Sequence, residues 1–517
     1  MKTWVRLLAI LLVILTVTAL LVACKKEEDP GAGEYNSTAE DGIPDLNYMG
    51  ETVRILYWNA EFDEYEVDIA SIGADNVASA IYTRNENITN RLGVEFEMNK
   101  QDGDVHNMNN FIKHVESINQ DAPEEHYDII SAYTKTIGML ATRGYLVDMM
   151  TIPAAENADE GYANEMGYID LDRMYWPATM TETMQFGHSM YFLSGDCSTN
   201  TLYMMYAMYF NKELVNRQFN KQAQQLGLAT GTDLLYKHVY DKTWTVDKLI
   251  EMTTGFYQDI DGRQGLTNGD YIGLTTATFH AEALYFASNL RLIDKDEQKI
   301  LKVSDDYGSK KTTNLVAKLG RYLTTNDVYI DPYNAWYSAD NGYLNAFYKG
   351  NAMFLLMRAY IGQWIIEQGP NVKFGVVPIP KYDDAQENYY TNMGNPLSLY
   401  GISDSFDPRE DRTATLQMLT AVIECWGSEA YALTTPQIFN VNMLSKWASG
   451  NDEVQMFQYI RTSIIYDLGN IFGADLSVMQ SKPLQTATWG GSWSATYQAY
   501  IRTIEAQLAA LVAGFNY

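Results

Sequence analysis

The clearest hydrophobic patterning lies in residues 347–381, FYKGNAMFLLMRAYIGQWIIEQGPNVKFGVVPIPK. A polar stretch closes on Gly350, and the apolar run 352–357 follows it. Residues 358–360 then lead into a short helical segment that Gly369 and Pro370 end. A second apolar run, 374–377, meets Pro378 and Pro380. Near-continuous apolar runs predict strands buried on both faces of a sheet, and prolines straight after the second stop it from pairing further. The chain is expected to leave one sheet for another here.

The same reading extends along the chain. Apolar runs at 53–58, 94–98 and 127–132 predict strands, with helices at 78–92, capped by Gly93, and at 111–118 between them. A further helix ends near residues 143–148. This strand–helix–strand alternation predicts a mostly parallel sheet, which presents ligand groups at the carboxyl ends of its strands. Trp58 and Tyr133 occupy such ends. Beyond them, Thr245 is placed to cap a helix that Asp247 favours at its positive end. Residues 279–290 and 414–426 read as helices, 397–402 as a strand, and 497–512 as a closing helix.

The first residues change the picture of location. Lys2 and Arg6 precede an apolar run at 7–22, which ends in Ala23-Cys24. That run falls short of the roughly 20 residues a membrane span needs, and a charged, polar segment follows at once. A lipoprotein signal is expected at 1–23, lipidation at Cys24, and a tether at 24–48. The protein is accordingly expected on the extracellular face of the cytoplasmic membrane, held there by its lipid.

Composition narrows the function classes. The chain has 517 residues and a formal charge of −28, which argues against nucleic acid and against an anionic membrane face as partner. Only Cys197 and Cys425 remain after lipidation, so free thiols or one optional bridge are expected and no disulfide framework is. With 38 Tyr and 10 Trp, the chain is rich in flat faces with a polar handle, which suit sugar rings as well as cores. The six histidines show no metal-ligand spacing, and no nucleophile-elbow, P-loop or dinucleotide-binding motif is present. No cofactor or metal is expected, and the chain is read as a non-enzyme. A glycosidase carboxylate pair could still hide among the 65 acidic residues.

These short motifs, taken in order, resemble the family 1 extracellular solute-binding proteins, the maltose-binding-protein-like receptors of ABC importers. The matching positions are Tyr127, Asp128, Tyr209, Asn211, Lys212, Leu214, Thr243, Trp244, Leu249, Phe347, Gly350, Ala352, Met353, Gly375, Pro378 and Pro380. The likeness extends from about Val53 to the C-terminus, with extra material at 152–176, 226–240 and 292–309. It implies a two-lobe α/β fold of the periplasmic-binding-protein-like type II class, with a ligand cleft between discontinuous lobes. Lobe 1 is expected at 49–196 and 378–427, and lobe 2 at 197–377 and 428–517; the passage 187–196 is expected to be a hairpin.

The function implied is capture of a solute, an oligosaccharide before others, by a monomer that delivers it to ABC-transporter permease subunits. An extracellular glycoside hydrolase and a sensory or adhesive lipoprotein are the alternatives. Candidate stacking faces are Trp58, Tyr133, Phe279, Trp336, Tyr360, Trp364 and Trp489, and candidate polar contacts are Asp196, Arg358 and Asn392.

Overall fold

The strand pattern forms two separate sheets. In this computed structural model the described residues are 41–59, 66–69, 72–73, 75–121, 126–155, 166–331, 342–479, 482–488 and 490–515. Cys24, Trp336, Trp489 and most of the expected tether lie outside them. Strands β1 (Glu51–Asn59), β2 (Val94–Asp102) and β3 (Ile129–Tyr133) lie parallel, with β1 between the other two. They correspond to the apolar runs at 53–58, 94–98 and 127–132.

The second sheet is built from the middle of the sequence. It contains β4 (Tyr206–Asn211), β5 (Ile272–Ala277), β8 (Val328–Asp331), β9 (Ala352–Arg358) and β10 (Phe374–Val377), in the order β10-β4-β9-β5-β8. The intervening β6 (Ile293–Lys295) and β7 (Leu301–Val303) pair only with each other. After β10 the chain passes through β11 (Thr391–Asn392) and returns to the first sheet as β12 (Ser398–Ile402), antiparallel to β3. A last short strand, β13 (Ile464–Ile465), pairs with β11. The first sheet is therefore assembled from two distant parts of the chain, as the discontinuous two-lobe type II fold requires.

Local chemistry explains most boundaries. The helix Asn76–Leu92 begins where the Asp75 carboxylate accepts from the Val77 and Ala78 amides, both at 2.9 Å, and ends on Gly93 at φ 62°. Thr245 caps Val246–Thr253 by accepting from the Lys248 amide, as its sequence predicts. All seven residues of β9 are buried, which accounts for an unbroken apolar run in place of an alternating one. At roughly 1.5–3 kcal/mol per large apolar side chain removed from water, its Met, Phe and Leu residues anchor the second sheet.

Four expectations need correction. The segment expected to be helical at 279–290 is helical only at Ala283–Ala287, because nearly every side chain there is enclosed and no single apolar face selects a helix. The expected hairpin at 187–196 forms only isolated bridges, one joining Leu193 to Tyr400 of β12. The helix expected at 414–426 runs unbroken from Arg412 to Ala432. The closing helix starts earlier than expected, at Trp493. Cys197 and Cys425 are buried free thiols.

Candidate functional site

The ends of β9, β5 and β3 bring side chains from both sheets together. In the antiparallel register of β4 and β9, Tyr206 faces Arg358. Strand β5 runs parallel to β9, so Phe279, two residues past its end, arrives at the same edge. The Arg358 guanidinium lies 5.8 Å from the Tyr206 ring centre and 5.9 Å from that of Phe279. It is also within hydrogen-bonding reach of the Tyr206 hydroxyl. Tyr133, ending β3 in the other sheet, contributes to the electrostatics of Arg358, as does Tyr360.

Arg358 is held from behind by a polar chain. His280 Nδ1 lies 3.1 Å from the Tyr206 hydroxyl, and its Nε2 lies 3.3 Å from that of Tyr343. Burial, reinforced by the nearby Arg358 charge, pushes the His280 pKa well below its ordinary value, so the imidazole is neutral. A neutral ring accepts from one hydroxyl and donates to the other, which fits its place between two tyrosines. For Arg358 itself, burial lowers the pKa and the surrounding tyrosines raise it, with a net upward shift that keeps it charged.

A backbone passage covers this cation. The Gly394 amide donates to Met204 O at 2.8 Å, and a Cβ at Gly394 would stand 2.3 Å from Arg358 Nε. Only a residue without a side chain lets the guanidinium lie there. Two residues earlier Asn392 is buried, and its Oδ1 has no hydrogen-bond partner among the described residues.

The remaining expected residues occupy different settings. Trp58 is 2% exposed; its indole N–H donates to Ser398 Oγ at 2.8 Å, and its ring centre lies 5.4 Å from that of Tyr133. Trp364 is half-buried and meets the buried Tyr360 edge-on at 5.3 Å. Asp196 sits in the passage between the sheets, where it accepts from Thr435 Oγ1 at 2.6 Å and lies 3.5 Å from the Arg461 guanidinium. Burial raises its pKa, countered by the Thr435 hydroxyl. Thus Tyr133, Phe279, Arg358 and Tyr360 are brought together, with Trp58 behind Tyr133 and Trp364 beside Tyr360.

Sequence reading missed Tyr206, Tyr343, Lys135 and Glu282. Lys135 is the second residue of the helix after β3 and Glu282 follows β5; burial lowers the Lys135 pKa and Glu282 offsets that shift. The signal for Tyr206 is its register opposite Arg358, which no local pattern reveals. The passage itself is fastened by Glu66, which accepts from the Thr199 hydroxyl, from the Asn200 amide at 3.2 Å and from the Tyr400 hydroxyl at 2.8 Å.

No protein-family model and no curated protein sequence matches the chain. Solved structures share its fold. The galacto-N-biose/lacto-N-biose I-binding protein of the ABC transporter from Bifidobacterium longum, in complex with lacto-N-biose, aligns over 90% of this chain and 98% of its own, with a TM-score of 0.53 at 11% identity. The GacH receptor of Streptomyces glaucescens, solved unliganded and with acarbose, aligns over 88% and 99%, with a TM-score of 0.50 at 13% identity. The maltose/maltodextrin-binding domain from Bdellovibrio bacteriovorus, bound to maltotriose, aligns over 89% and 100%, with a TM-score of 0.50 at 10% identity. The chain therefore has the two-lobe α/β fold of these proteins.

Proposed function

We propose that the protein is a lipid-anchored extracellular solute-binding protein that captures a carbohydrate between its two sheets and passes it to the permease subunits of an ABC importer. The observation that carries this reading is that Tyr133 of one sheet lies near enough to act on the charge of Arg358 in the other, where Phe279 and Tyr360 also stand. Aromatic faces suit the C–H faces of sugar rings, and contacts drawn from both sheets let a ligand favour a closed form over an open one. Proteins of the same fold bind lacto-N-biose, acarbose and maltotriose, which supports a saccharide as the solute. The basic, apolar and Cys24-terminated start supports the anchor and the extracellular location.

Binding without turnover is the expected behaviour. A panel of mono- and oligosaccharides is screened by thermal shift, and hits are titrated by calorimetry. The expected result is saturable, one-to-one binding with the saccharide recovered intact. Release of shortened products would establish the hydrolase alternative in its place, and no stabilisation by any saccharide would remove the carbohydrate reading.

A further inference from the structure

We propose that the captured saccharide is acidic, a uronic acid or an oligosaccharide bearing one, and that the Arg358 guanidinium holds its carboxylate. The inference rests on the saccharide-capture reading and names the ligand's class. Arg358 is 6% exposed, and its Nε has no hydrogen-bond partner among the described residues. The groups that chiefly stabilise its charge are tyrosines, Tyr206 among them with its hydroxyl in hydrogen-bonding reach. Ring centres at 5.8 and 5.9 Å stand near the roughly 6 Å outer limit of cation–π attraction, so they offset little of the cost of burying a cation.

Other buried cations of the chain are answered differently. Arg84 donates to Val67 O at 2.8 Å and to Asn85 Oδ1, and the Glu66 carboxylate supports its charge. Arg461 lies 3.5 Å from Asp196, and Lys135 is offset by Glu282. Among the described residues, Arg358 stands apart as a buried positive charge completed by no anion, at the edge where the aromatic faces gather. In a protein of net charge −28 an anionic ligand gains nothing from the overall field, so its selection must be local.

The chemistry of the donor favours a carboxylate over a phosphate. A guanidinium presents a planar fork that matches a planar carboxylate, and its single charge balances a single negative charge. A phosphate monoester carries about −1.5 to −2 at neutral pH and would leave excess charge buried. Asn392 Oδ1, without a partner among the described residues, adds an acceptor for a sugar hydroxyl close to the same backbone passage.

The test is calorimetric titration of the full chain with digalacturonate and a glucuronate-bearing disaccharide, each beside its neutral methyl ester, with glucose 6-phosphate as the phosphate arm. The acids are expected to bind roughly 10–100-fold more tightly than their esters, the scale of a hydrogen bond to a charged group. Arg358→Gln is expected to erase that preference while leaving the ligand-free melting temperature equal or higher, since an unpaired buried charge is removed. Esters that match the acids overturn the inference and leave saccharide capture standing. Tighter binding of glucose 6-phosphate overturns the carboxylate assignment, and acid preference retained by Arg358→Gln overturns the role of that residue. Failure of every saccharide, neutral and acidic, removes both the inference and the reading beneath it. The comparison of acid with ester needs no variant, so it stands even where Arg358→Gln does not fold.

Discussion

Trp58 shows how far a single position can be read. Its place at the carboxyl end of a strand is legible in the run VRILYW, but the direction of its indole is set by Ser398, 340 residues away. A Cβ on Gly103 would come within 2.7 Å of Trp58 Cβ, so backbone closes over the side chain as well. Trp58→Ala is therefore expected to destabilise the ligand-free protein by about 3–5 kcal/mol, as core aromatic truncations do, and to act on binding only through the loosened Tyr133. The half-buried Trp364 is expected to behave in the opposite manner, with Trp364→Ala changing saccharide affinity more than stability. Urea unfolding beside calorimetric titration separates the two; an unchanged unfolding midpoint for Trp58→Ala would contradict its place in the core.

Elements were legible where a cap or a period marks them. Gly93 is a clear instance: it takes φ 62° to end the helix Asn76–Leu92, and a Cβ there would lie 2.2 Å from Asn47 Oδ1. Gly144 has a similar φ of 75°, and among the described residues nothing lies within 4 Å of where a Cβ would stand. Left-handed backbone costs a non-glycine residue about 1–2 kcal/mol, so Gly144→Ala is expected to lose that much and Gly93→Ala more, because Asn47 must also move. Equal unfolding midpoints for the two variants would show that the Asn47 contact carries no weight. By contrast, the run FHAEALYFASNL misleads, since burial on all sides removes the period that separates a helix from irregular chain.

At the scale of the whole molecule, buried carboxylates tie stability to pH. Glu424, on the long helix Arg412–Ala432, accepts from the Tyr175 hydroxyl, from Trp176 Nε1 at 2.8 Å and from the Asp170 amide at 3.2 Å. Burial nevertheless pushes its pKa up to about 8, against which those three donors pull it down. The folded state then binds a proton that the unfolded state releases near its ordinary value, about 4.3. The contribution is complete below that value and is lost as pH rises through about 8. Glu424→Gln is expected to flatten the fall in melting temperature between about pH 5 and 8 relative to the parent protein. An identical slope in both proteins would show that this carboxyl is already ionised when folded.

The sequence by itself determined the elements whose cause is local: the apolar runs of β1, β3, β9 and β10, the caps at Gly93 and Thr245, and the prolines that end β10. It also determined that Arg358 would stand at the end of a buried strand, since a charged residue closes the apolar run AMFLLM. Only the tertiary structure decided what surrounds that cation. Tyr206 reaches it through strand register, Phe279 through the parallel run of β5 and β9, and Tyr133 from the opposite sheet. None of these neighbours is within 50 residues of Arg358 in the chain, so no period, cap or local motif encodes their meeting. Local preferences select helix or strand, whereas the site depends on pairing partners and on which side chains the two sheets turn toward each other.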